Sequence, residues 1–209
     1  IREQKMKKLI NGLIFLACVT STSVLANNVI KPAPLVSVPS QDAFFDAIKQ
    51  HCGKAFEGKV TVDNQGPSSF SEAKLVMHVR KCTDSQLQIP FHVGDNASRT
   101  WIITKTGSGL SLKHDHRHED GTDDPVTMYG GHTVDAGFAN VQSFPVDVYS
   151  KHMFAEKGLP QSLTNIWQMY IYPEKFTYRL IREGREFRVD FDLTQPIPVP
   201  APPWGYTDM

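Results

Sequence analysis

Cysteine is scarce, with three in 209 residues. No apolar run after residue 26 is long enough to span a membrane. Charge of either sign is not in excess: 22 basic residues face 22 acidic ones. There is no basic stripe, which excludes a nucleic-acid partner. No Gly-x-Ser-x-Gly elbow is present, so that route to a serine nucleophile is excluded. Regular alternation of strand and helix patterns is also missing, which excludes a doubly wound sheet.

What is present begins with a targeting pattern. Met6 is followed by Lys7 and Lys8, then by a mostly apolar run from Leu9 to Cys18. Val24-Leu25-Ala26 supplies the small residues of a cleavage site. Residues 1–26 are therefore read as upstream residues plus a cleaved secretory signal. The rival is a lipid anchor on Cys18, opposed by the bulky Phe15-Leu16 before Ala17. The mature chain would be mildly acidic, periplasmic or extracellular, and without a membrane span. Cys52 and Cys82 would remain and pair. A disulfide closing a loop of about 30 residues contributes roughly 3–4 kcal/mol.

Residues 27–40 form a linker, broken by Pro32, Pro34 and Pro39. Ser40 then reads as a helix N-cap. Phe44, Phe45, Ile48 and Cys52 follow on one helical face, with Gly53 as a stop. From there to residue 194 the chain is strand after strand, in nine or ten short runs joined by Gly-rich or polar turns. The clearest is Phe187, Val189, Phe191 and Leu193 alternating with Arg188, Asp190 and Asp192. The Gly130-Gly131 pair suggests a bulge or sharp bend. A mainly β fold follows: an antiparallel up-and-down barrel over residues 41–194, with one N-terminal helix. Residues 195–209 are a Pro-rich tail, expected to lie on the barrel with Trp204 as anchor or to dock a partner.

The segment His114-Asp115-His116-Arg117-His118-Glu119 carries the site argument. Alternate side chains of a strand share a face, so Leu110, Leu112, His114, His116 and His118 point one way. If the leucines face a barrel interior, the histidines line its mouth. Adjacent imidazoles on one face can grip a transition metal such as zinc. His132 would join from the neighbouring strand, and Glu119 or Asp120 would supply an oxygen or orient a ring; the competing reading is a solvated, hydrogen-bonded strand end. Leu110, Leu112, Trp101, Trp167 and Met169 are the expected walls of a ligand pocket.

The runs "SLKHDHRHEDG", "YGGHT", "GREFRVDFDLTQP" and "PPWG" resemble an uncharacterised group of exported bacterial proteins. Strand order and the lone leading helix resemble calycin barrels, the class that includes lipocalins. Phe56-Glu57-Gly58 stands near the place of their Gly-x-Trp signature, without the Trp. The resemblance implies an architecture and an export route, and no chemistry. Three functions follow as expectations. The first is a non-enzymatic barrel for a small apolar or amphipathic ligand. The second is a metal-dependent enzyme built on the histidines. The third is an envelope protein docking through its tail.

Overall fold

A computed structural model describes residues 38–206. The signal segment, residues 27–37 of the linker and the last three residues of the tail lie outside the described residues.

Helix α1 (Pro39–Lys49) starts one residue before the expected cap. Pro39 takes the first position, where its missing N–H costs nothing. The Ser40 hydroxyl donates instead to the Ala136 carbonyl, at 2.5 Å. The apolar stripe of Phe44, Phe45 and Ile48 is fully buried in the main core. Around it, Gln41 donates to Thr133 and to the Asp135 carbonyl, Lys105 pairs with Asp42 at 2.8 Å, and the Cys52–Cys82 disulfide ties the following turn. These partners sit at strand ends of one rim, so α1 seals that end of the barrel.

Among the described residues eleven strands follow: β1 (Ala55–Asp63), β2 (Leu75–His78), β3 (Lys81–Cys82), β4 (Gln86–Val93), β5 (Asn96–Thr106), β6 (Gly109–His116), β7 (Tyr129–His132), β8 (Val141–Pro145), β9 (Ile166–Tyr172), β10 (Lys175–Arg182) and β11 (Arg185–Asp192). All pairings are antiparallel, in the order β7-β6-β5-β4-β2-β1-β11-β10-β9-β8, with β3 beside β4. The sheet curls into a nearly closed barrel. Its seam joins β7 to β8 through the Gly131–Val146 bridge and a bond from Asp147 N to the Gly130 carbonyl. Helix α3 (Val148–Glu156) follows the seam, and its Ser150 hydroxyl accepts from Gly130 N at 2.7 Å.

The glycine pair is therefore neither bulge nor bend. Both residues lie inside β7. A Cβ on Gly130 would stand 1.9 Å from the Leu112 carbonyl oxygen, and one on Gly131 would stand 2.2 Å from that of Pro145. The bare Gly131 lets the β7 and β8 edges meet, and the bare Gly130 lets β7 lie close against β6.

Inside, alternation does its usual work. Phe187, Val189 and Phe191 of β11 are buried, as are Leu110, Leu112 and His114 of β6. Phe176, Phe191, Trp167, Met169 and Ile103 fill the lumen. These side chains are buried and form one core cluster in the middle of the barrel. Outside, the tail crosses the wall. Ile197 pairs with Ala55, Trp204 N donates to the Ala97 carbonyl, and the Tyr206 hydroxyl donates to Asp115 at 2.5 Å. Tyr206 is held also near Arg117.

Candidate functional site

The end opposite α1 holds a cavity of about 220 Å³. Its wall comes from strands on both sides of the lumen: Phe91, Arg99 and Trp101; His114, His116 and Tyr129; Tyr178, Leu180, Arg185 and Phe187. Ser68 and Phe70, from the β1–β2 connection with its short helix α2 (Ser69–Glu72), lean over the opening.

Stacked rings build the floor. Trp101 lies parallel to Phe91 at 4.9 Å and to Tyr178 at 4.6 Å. His114 stacks on Tyr129 at 4.7 Å. Offset stacking of this kind adds about 0.5–1.5 kcal/mol per pair beyond area burial.

The buried polar groups fix one another. His114, 3% exposed, meets the Tyr129 carbonyl through Nδ1 at 3.2 Å and the Tyr178 hydroxyl through Nε2 at 2.9 Å. A carbonyl only accepts, so Nδ1 carries the proton and Nε2 accepts from Tyr178. Burial, with His116 nearby, pushes the His114 imidazole down to about 3. His116 bonds the Tyr129 hydroxyl at 3.1 Å. Burial and the facing Arg99 push it down to about 4, against the pull of Asp124 and Asp115. Burial raises Tyr129 to about 12 and Tyr178 well above its ordinary value. At neutral pH this whole layer is uncharged.

Two arginines supply the charge. Arg185 is spent in a close ion pair with Asp63. Arg99 lies opposite His116 in the β5–β6 register. Among the described residues it has no ion-pair partner, and it feels Asp124 only from beyond ion-pair distance.

The expected metal cluster does not assemble. Among the described residues, no group of three or more His, Cys, Asp or Glu side chains is placed to hold a metal ion. Register is the reason for His132: it stands opposite Ser111, while Tyr129 stands opposite His114. His132 lies toward the α1 end, bonded to Thr106 Oγ1 at 2.8 Å and the Thr133 carbonyl at 2.7 Å. Strand ending is the reason for His118. β6 stops at His116, and a turn closed by Gly121 N on the His118 carbonyl leaves His118 and Glu119 in solvent. Of the expected pocket walls, Trp101 lines the cavity, whereas Leu110, Leu112, Trp167 and Met169 belong to the packed core below it.

Arg99, Tyr129 and Tyr178 escaped sequence reasoning. Arg99 has a readable signal: it shares strand parity with Trp101 and Ile103, both buried. A wider groove of about 810 Å³ runs outside the wall between β1, β11 and the tail. Its charges are of both signs, and some are paired, as Glu57 is with Lys74 and Asp190 with Arg188. It offers no enclosed aromatic surface, so the mouth is the stronger candidate.

Fold and site define a nearly closed barrel with one sealed end and one aromatic mouth. The chain resembles a redesigned β-barrel at 10% identity with a TM-score of 0.32, over 70% of this chain and 93% of that one. No protein family and no curated protein matches it.

Proposed function

We propose that this protein is an exported, non-enzymatic binding protein that holds a small apolar or amphipathic ligand in the barrel mouth. The observation that carries the reading is the 220 Å³ cavity with its largely aromatic wall. Concave apolar sites with a few convergent polar groups are the usual form of a small-molecule site. The tail, held against the barrel through Asp115, favours this reading over docking through that segment. Export to the periplasm or the exterior is supported by the Cys52–Cys82 disulfide. A calycin-like relationship is supported by the up-and-down strand order and the leading helix. Among the described residues, no helix is long and apolar enough to cross a membrane.

Titration with toluene, followed by tryptophan fluorescence, tests the cavity. Saturable change is expected, and it should vanish in Trp101→Phe if Trp101 reports it. Filling the space with Leu180→Trp should abolish binding, read by calorimetry. Toluene binding that is unaffected by this substitution, or no saturable binding at all, would sink the proposal.

A further inference from the structure

The cavity's size, its rings and Arg99, which has no ion-pair partner among the described residues, together restrict the ligand. Size comes first. An apolar cavity of about 150 Å³ accepts benzene, so the 220 Å³ here suits one six-membered ring with one substituent. A fatty chain or a fused polycycle would have to displace the packed core beneath, where Leu112, Met169 and Phe176 are fully buried.

The lining chemistry comes second. Phe70, Phe91, Trp101, Tyr129, Tyr178 and Phe187 all contribute to the wall, and flat rings present faces and edges that suit a flat guest.

Charge comes third. Among the described residues, both hydrogen bonds of Arg99 leave from Nη1, to Asn96 Oδ1 at 2.9 Å and Ser98 Oγ at 3.1 Å. The Nε and Nη2 edge is left to donate, in the fork that matches a planar carboxylate. Phe70 covers the guanidinium at 5.3 Å, so water is thinned around it and an anion there would be screened little. The other nearby charges do not cancel it by contact: Arg185 is paired with Asp63, both mouth histidines are neutral above about pH 4, and Asp124 acts on Arg99 only from beyond ion-pair distance. One net cation matches a monoanion. A phosphate dianion would bury a charge with no partner, which is costly.

We infer that the mouth binds a single-ring aromatic monocarboxylate, with its carboxylate on Arg99 and its ring against the Trp101 and Tyr178 faces. This rests on the mouth being a ligand site.

The test compares benzoate with benzamide, its neutral counterpart of equal size, by calorimetry on the wild-type protein at neutral pH. Benzoate should bind at least tenfold more tightly, since hydrogen bonds to charged groups contribute about 1.5–3 kcal/mol, or roughly ten- to a hundredfold. Arg99→Gln should erase that gap, and Arg99→Lys should restore part of it. Equal affinities for benzoate and benzamide, or a gap that survives Arg99→Gln in a variant of normal thermal stability, would overturn the carboxylate assignment. If toluene still binds in that case, the cavity reading stands alone. If toluene, benzoate and benzamide all fail to saturate, both readings fall together. The wild-type comparison needs no variant, so a misfolded Arg99→Gln protein would not rescue the inference.

Discussion

His114 should make the protein acid-sensitive in a way that can be isolated. The folded imidazole is held down to about 3 from an ordinary value of 6.5, chiefly by burial. Above pH 6.5 neither the folded nor the unfolded state binds the proton, and the full stability is present. As pH falls through this value the unfolded imidazole charges, while the folded one stays neutral until about 3. Stability is therefore lost between those limits, at about 1.4 kcal/mol per pH unit. From neutral pH to about pH 4.5 the loss from this one residue is about 2.5 kcal/mol. His114→Phe removes the titration. It should cost about 1–3 kcal/mol at neutral pH, because the Tyr178 hydroxyl and the Tyr129 carbonyl lose their partner. On acidification it should lose about 2.5 kcal/mol less than the wild type. Urea unfolding at both pH values measures both quantities, and the difference between the proteins cancels other titrating groups such as His78, which burial holds down to about 4. Parallel pH dependence in the two proteins would refute the burial argument.

The barrel makes three further quantitative demands. Gly131→Ala should destabilise by about 3 kcal/mol, because its methyl would meet the Phe144 and Pro145 carbonyls; thermal unfolding checks this, and an unchanged midpoint would deny a tight seam. Tyr206→Phe strips one donor from Asp115, which is 2% exposed and also accepts from Arg117 and Thr127; a loss of about 1.5–3 kcal/mol is expected, with faster hydrogen exchange at the Trp204 amide. Replacing Cys52 and Cys82 together by Ser should lower stability by about 3–4 kcal/mol, read from urea midpoints of the oxidised wild type and the variant.

Local pattern was legible wherever the answer depended on one strand or one helix. The row Phe187, Val189, Phe191 announces its buried face without help, and so does the α1 stripe of Phe44, Phe45 and Ile48. The shared face of Leu110, Leu112, His114 and His116 is also a one-strand property. What the sequence hid depends on two segments at once. The partner of His114 is chosen by register across the loop between β6 and β7, and nothing in His132 itself reveals that Tyr129 takes its place. The glycine pair reads as a bend when only its own strand is considered, and as a seam once β8 arrives. Tyr178 meets Trp101 only across the lumen, between strands more than sixty residues apart by number, a distance no periodicity spans.

The neutral histidine–tyrosine layer also limits how the mouth can respond to pH. His116 faces Arg99, and as a cation it would strengthen any anion's hold. It charges only near 4, however, and that is where an ordinary carboxylate takes up its own proton. A carboxylate ligand would lose its charge as fast as His116 gains one. The two changes oppose each other, so His116 cannot serve as a low-pH reinforcement of Arg99 for that ligand class. Its role at neutral pH is to be uncharged. By accepting or donating to Tyr129 without a net charge, it lets the rings of the floor pack at close range and adds no charge of its own beside Arg99.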